Sequence, residues 1–370
     1  MQPLTTALTG RTDGIVAEQQ AGMTILRSVH VKPHRRLFYL NSYGMAQAWR
    51  TLGEPNPGQH LWGCIELARL GYEVAMPEEP VRGRFFNYRR QDFKHLRFIR
   101  EWLGRDGILY SAHTVVFWAP LLAAAGLLRC PVVTLLYAAG ENLRFTRGYA
   151  GVIAMTPAAE RRARSLAPGA KIAHLGWGVD LPLYPVAPYE PRWFLSCGKT
   201  RRDFSTLAAA SAAVATPVRV INTSAPAGLM WPANVEFVGT MRPGSWEAVS
   251  FRELIEHHYA GCTATLVLLE NDPTQRYAAG FTQLLEAMAL SKPVIVTRTG
   301  AIPDEIDVEA QGCGLFVPPN DPKALARAMA SIASDPQRAA AMGQAGRRLC
   351  ERHYDMTRFG DQLHGFFNKL

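Results

Sequence analysis

Residues 280–300 read GFTQLLEAMALSKPVIVTRTG, a stretch that leaves little choice of architecture. Phe281, Leu284, Leu285, Met288 and Ala289 fall at i, i+3, i+4, i+7 and i+8, one apolar stripe of a helix. Ser-Lys-Pro ends that helix, and the β-branched run at 294–297 predicts a buried strand. Glu286 lies off the stripe and is expected to point away from the core. Gly280 opens the helix and leaves its first N–H groups to a phosphate, while Glu286, further along, can accept hydrogen bonds from ribose hydroxyls. The stretch reads as part of a site for a nucleotide diphosphate.

The same alternation runs through the chain. Strands are predicted at 37–40, 72–76, 108–110, 131–137, 151–155 and in 171–180, with a helix over 58–71 closed by Gly71. Residues 1–34 read as an extension without periodicity. Pro182, Pro185, Pro188 and Pro191 mark an interdomain linker. Beyond it, strands are predicted at 193–196, 218–222, 235–238 (ending at Gly239), 263–269 and 315–317, with helices at 205–215, 322–333, 336–350 and 356–370. The fold class is therefore α/β, two parallel-sheet domains with the ligand site in the cleft they share. The expected bounds are 1–34 for the extension, 35–185 and 186–350 for the domains, and 351–370 for a C-terminal helix.

Charge separates the halves. Residues 1–185 hold 22 lysines and arginines against 13 acids, and residues 186–370 hold 18 of each, so the whole net charge of +9 lies in the first half. An anionic partner is expected there. Its densest part, 81–105, interleaves arginines with Phe85, Phe86, Phe93, Phe98 and Trp102. That pattern fits an anionic membrane surface or a phosphorylated acceptor, and equally a core-facing helix with a solvated basic side. No nucleic-acid-binding motif accompanies the charge. The uncharged run 107–128 contains Ser111, His113 and Pro120 and divides into a strand and a helix rather than a membrane span. The N-terminus lacks the apolar core of a signal peptide. Six scattered cysteines without a CxxC pair read as buried free thiols in a reducing cytosol, not as metal ligands.

Three further places could carry chemistry. Gly58, before a helix, permits close approach of a ligand to backbone, or simply a tight turn. His113 follows a strand at its carboxyl end, where α/β sheets face their ligands, or it is a hydrogen-bonded structural histidine. Gly198, Lys199, Arg201 and Arg202 form a basic turn after a strand, suited to a diphosphate; the P-loop spacing is absent, and a solvated turn is the alternative.

The second half resembles the retaining glycosyltransferases of the GT-B fold, in particular family 4 (group 1). The resemblance rests on GFTQLLEAMALSKPVIVTRTGAIPDEI, GLFVPPNDPKALARAMASIASDP and MGQAGR, from about 266 to 354, with weaker echoes at 57–74, 111–113, 178–180 and 196–207. It implies two Rossmann-like domains facing across a cleft, the last helix crossing back to the first. It implies a retaining, metal-independent hexosyltransferase-like enzyme without a cofactor, cytoplasmic or peripheral on the inner face of the membrane. The donor would be a UDP- or GDP-sugar and the acceptor a glycan, lipid or small molecule. By the resemblance, Lys199 and Arg202 contact the diphosphate, Gly280, Phe281 and Thr282 supply N–H groups, and Glu286 holds the ribose. Gly198 and Gly239 belong to the donor-binding set, Gly58 lies against the donor phosphate, and His113 stands near the transferred sugar or the acceptor. The chain departs from the family pattern in three places. Ala278 stands where the family has its first glutamate, Leu135-Leu136-Tyr137 where it has a second histidine, and Ser291 where it has the glycine of Gly-Lys-Pro. A nucleotide-sugar epimerase or phosphorylase of the same fold, and a non-catalytic sugar-nucleotide-binding protein, are the competing readings.

Overall fold

The computed structural model describes residues 11–41, 44–54, 56–79, 95–112, 118–137, 143–198, 200–222, 228–238, 249–271, 279–300, 302–303 and 305–370. The chain forms two compact units. The C-terminal unit is built mainly on Gly178–Asp355, the N-terminal unit on Leu8–Leu52, Asn56–Trp177 and Met356–Leu370. The division falls at 177/178 and 355/356, some residues from the expected 185/186 and 350/351. The expected proline linker lies inside the C-terminal unit, where Leu181, Leu183 and Tyr184 are buried. Val179 N–H donates to Tyr354 O at 2.7 Å, so the two ends of Gly178–Asp355 are tied together.

The N-terminal unit holds β1 (Ile15–Gln20), β2 (Met23–Ser28), β3 (Arg35–Leu40), β4 (Tyr72–Pro77), β5 (Ile108–Ser111), β6 (Val132–Leu136), β7 (Gly151–Ala154) and β8 (Lys171–His174). They form one sheet in the order β1-β2-β4-β3-β5-β6-β7-β8, parallel from β4 to β8 and antiparallel at β1 and β2. Residues 15–28 are thus a hairpin, not an unstructured extension. Its two-residue turn takes φ +51° at Ala21 and +77° at Gly22, the left-handed pair that matches strand twist. Ala-Gly is a weak signal for that turn, and β1 is solvated on both faces, so no alternation announces it.

The helix expected over 58–71 is broken in two. Residues Gly58–Leu61 form a 3-10 turn, and α1 (Cys64–Arg69) follows, with Trp62 at φ +51° and Gly63 at +85° between them. The cause is long-range. The last helix, α2 (Met356–Phe367), lies so close that a Cβ on Gly63 would stand 2.5 Å from Leu363. A Cβ on Gly360 would likewise run into Glu66, which a buried Arg11 pairs. Within the basic stretch, the described residues 95–103 turn Ile99, Trp102 and Leu103 into the core and leave Arg97 and Arg100 solvated; 81–94 lies outside the described residues.

The C-terminal unit holds β9 (Trp193–Cys197), β10 (Val218–Ile221), β11 (Val235–Val238), β12 (Cys262–Val267), β13 (Val294–Thr297) and β14 (Gly314–Val317). The sheet is wholly parallel, ordered β11-β10-β9-β12-β13-β14. Four helices of the unit matter below: α3 (Phe204–Ser211), α4 (Phe281–Ala289), α5 (Pro322–Ala333) and α6 (Pro336–His353). Eight of the nine residues of α4 are buried, so the helix is covered on nearly every side and its four large apolar side chains contribute about 1.5–3 kcal/mol each. After α4, Ser291 takes φ +56°, the left-handed conformation a glycine would supply.

Candidate donor-nucleotide site

In the C-terminal unit β9 and β12 are adjacent and parallel at the middle of the sheet, so the loops at their carboxyl ends meet. The loop after β9 bends at Gly198 (φ +106°) and Arg201 (φ +51°). It is zipped to the end of β12 by Asp203 N–H to Leu268 O at 3.3 Å and Glu270 N–H to Arg201 O at 3.0 Å. The chain leaves β12 and enters α4 at Gly280, whose φ is +73°.

Arg202 joins the two loops. Its guanidinium donates to Cys197 O (3.2 Å), Thr200 O (3.3 Å) and Gln283 Oε1 (2.9 Å), the last on the first turn of α4. Both glycines make room for it. A Cβ on Gly198 would run into Nη2, and one on Gly280 would stand 3.3 Å from Nη1 and 2.7 Å from Val267. Arg202 is only 8% exposed, and burial lowers its pKa, yet a guanidinium remains charged at neutral pH. Its partners are all neutral oxygens; among the described residues no carboxylate pairs it. A desolvated cation with no counter-charge is costly, and here it adjoins a helix N-terminus, itself partly positive. The two together favour an anion.

Glu286 lies six residues into α4. Its place off the stripe suggested that it points away from the core. It is 8% exposed and accepts a hydrogen bond from Tyr184 Oη at 3.0 Å. The helix is buried all round, so leaving the apolar stripe does not mean leaving the interior. Nearby, Cys197 Sγ and Tyr259 Oη are 3.5 Å apart. Burial first, and then the Glu286 carboxylate, push the Cys197 thiol up to about 12 against the effect of the Tyr259 hydrogen bond, so it is no nucleophile at neutral pH.

Of the residues singled out in the sequence, Gly198, Arg202, Gly280, Phe281, Thr282 and Glu286 are gathered on these two loops and α4. Gly58 belongs to the N-terminal unit, buried in its 3-10 turn. That turn is held by an aromatic cluster at the carboxyl ends of the strands: Trp62 stacks on Trp177 at 5.0 Å, Tyr137 meets both, and Trp177 Nε1 donates to Gln59 O at 3.3 Å. His113, Lys199, Gly239 and Ala278 lie outside the described residues. Sequence reasoning passed over Gln283, Tyr184 and Arg347. A polar Gln283 in a buried, mostly apolar helix was the one available signal.

Comparison with known proteins bears on the fold. The family model described as Glycosyl transferases group 1 matches residues 249–349, which include α4, β13 and α5. No curated protein sequence matches the chain. Among solved structures, sucrose-phosphate synthase from Thermosynechococcus elongatus is similar with a TM-score of 0.69 at 16% identity, over 91% of this chain and 99% of that one. Anabaena HepE in complex with UDP and glucose gives 0.60 at 16%, over 91% and 100%. A glycosyltransferase from Rickettsia africae gives 0.64 at 13%, over 92% and 99%. With its two parallel-sheet units, the chain has the α/β architecture of the GT-B glycosyltransferases.

Proposed function

We propose that the protein is a metal-independent, retaining glycosyltransferase that moves a sugar from a UDP- or GDP-sugar to an acceptor hydroxyl. The observation that carries this reading is the buried Arg202 cation, held among the described residues by neutral oxygens at the glycine-started N-terminus of α4, with Glu286 on the same helix. The group 1 match over this region and the UDP and UDP-glucose complexes of HepE support it.

Cleaving an anomeric bond to a diphosphate builds negative charge on the leaving group. Arg202, Lys199 and the first-turn N–H groups of Phe281 and Thr282 stabilise that charge as it grows, with the positive end of the helix already in place. Gly198, Gly239 and Gly280 let backbone approach the donor, and Glu286 accepts from the ribose. On the acceptor side, Gly58 lies against the donor phosphate and His113 near the transferred sugar. Retention follows from front-face attack in which the leaving phosphate takes the acceptor proton. The acceptor is a glycan, lipid or small molecule met in the cytoplasm or at an anionic membrane face through 81–105. No cofactor takes part.

The test is a donor panel. UDP-, GDP- and TDP-sugars are screened by thermal shift, then nucleotide release is followed by chromatography over an acceptor panel, with and without EDTA. Release that depends on acceptor and survives EDTA supports the proposal, and the anomeric proton coupling of the product reports retention. Glu286→Ala is expected to raise donor KM. Ala278, in place of an expected acid, favours one second reading, a non-catalytic binder; tight donor binding with neither transfer nor hydrolysis would establish that instead.

A further inference from the structure

Tyr184 is fully buried just after the short turn Leu181–Leu183, and three elements fix it. Arg347, on α6, donates Nη1 to Tyr184 O and to Ala289 O, both at 2.7 Å, and Ala289 is the last residue of α4. A third hydrogen bond, Nε to Glu351 Oε1 at 2.7 Å, steadies the same guanidinium. Phe251 meets the Tyr184 ring edge to face at 5.5 Å. The hydroxyl then reaches Glu286 Oε1 at 3.0 Å. The turn, α4 and α6 are thus pinned at one point, and the direction of the Glu286 carboxylate is set from outside its own helix.

We propose that Tyr184 is a positioning residue for Glu286, holding the carboxylate where it reads donor ribose hydroxyls, so that the site selects ribonucleotide over 2′-deoxyribonucleotide donors. The proposal rests on the donor reading given above. A carboxylate oxygen accepts more than one hydrogen bond, so the tyrosine and the ribose are compatible partners. A free glutamate side chain explores many rotamers, and a donor fixed on both sides removes that freedom before the ligand arrives. Sites built around a substrate hydroxyl reject analogues that lack it, because the buried polar group is then left without its partner. The diphosphate contacts sit at the opposite end of α4, near Gly280 and Gln283, and do not depend on Tyr184.

Calorimetric titration of the wild-type chain, Tyr184→Phe, Glu286→Gln and the double variant with UDP, GDP and their 2′-deoxy counterparts tests this. The wild type is expected to bind the better ribonucleotide about tenfold or more tightly than its deoxy form. In Tyr184→Phe that ratio should fall to within about threefold, through weaker ribonucleotide binding with the deoxy affinity unchanged, which also shows that the variant is folded. The double variant should be no flatter than either single one. Arg347→Lys keeps a charge but not the fork onto two carbonyls, and carries the test by a second route with a partial loss of the ratio. A ratio unchanged in both Tyr184→Phe and Arg347→Lys, or the two nucleotides weakened alike, overturns the proposal and leaves the donor reading standing. So does a wild type indifferent to the 2′-hydroxyl. A wild type that binds no nucleotide refutes the donor reading and this inference with it.

Discussion

Four helices of the C-terminal unit start in two different ways. α3, α5 and α6 each begin at an aspartate whose carboxylate accepts a first-turn N–H: Asp203 from Thr206 at 2.9 Å, Asp321 from Ala324 at 2.8 Å, Asp335 from Arg338 at 2.9 Å. α4 begins at Gly280, which has no side chain to offer. Yet a carboxylate at that place would meet both a helix dipole and the buried Arg202, a better environment than the other three enjoy. Where a helix end only needs closing, this chain supplies the anion itself. At α4 the described residues supply a cation and no capping carboxylate, an arrangement that suits the donor diphosphate proposed above.

The largest expected effect comes from removing that cation. Arg202→Met should cut kcat/KM by about 100- to 1000-fold, since the charge acts on the leaving group as it forms. The three oxygens it satisfies would lose their donor, so the melting temperature should also fall, by the equivalent of about 1–3 kcal/mol. Steady-state kinetics beside a thermal melt checks both. Near-normal turnover would make Arg202 a structural clamp and erase the contrast between α4 and its neighbours.

A pair of variants at residue 280 sharpens the comparison. Gly280→Asp and Gly280→Asn share a shape and the same strain at φ +73°, and both crowd Val267. They differ in charge and in the exchange of one acceptor oxygen for an NH2 donor. The aspartate variant, turning α4 into a helix like the other three, should bind nucleotide at least about tenfold more weakly than the asparagine variant. It should melt no lower, because its carboxylate is capped and paired. Nucleotide titration of the two, with melts alongside, reads both quantities; equal nucleotide affinities would show that no anion binds there.

Much of this arrangement was legible in the sequence, and what was not has a common cause. The β-branched strands, Gly280 ahead of the 281–289 stripe and the basic turn at 198–202 are local signals, set by residues a few positions apart. Glu286 was found by its position but not by its setting, because Tyr184 is 102 residues away and hidden in a proline-rich run that reads as linker. The break at Trp62-Gly63 is imposed by Leu363 and Phe359 from the far end of the chain. The hairpin of β1 and β2 escaped because its outer strand is solvated on both faces and carries no periodic pattern. Pairing, burial and close helix contact are settled by tertiary structure, and propensity does not report them.

The smallest effects belong to the ordinary caps. Asp321→Ala and Asp335→Ala each remove one carboxylate from a helix that also starts with proline, Pro322 or Pro336, whose fixed φ already favours the first turn. Each should cost about 1 kcal/mol, a fall of roughly 2–4 °C in melting temperature for a unit of the size of Gly178–Asp355. Donor KM and kcat should stay at wild-type values, because each carboxylate is engaged by the first turn of its own helix. Stability and donor affinity then separate by helix: loss of a cap at α5 or α6 moves only the melt, while gain of one at α4 moves chiefly the titration. A donor KM that rose with Asp321→Ala would mean that α5 reports to the site through β13 or β14, and the division between closed and open helix ends would fail.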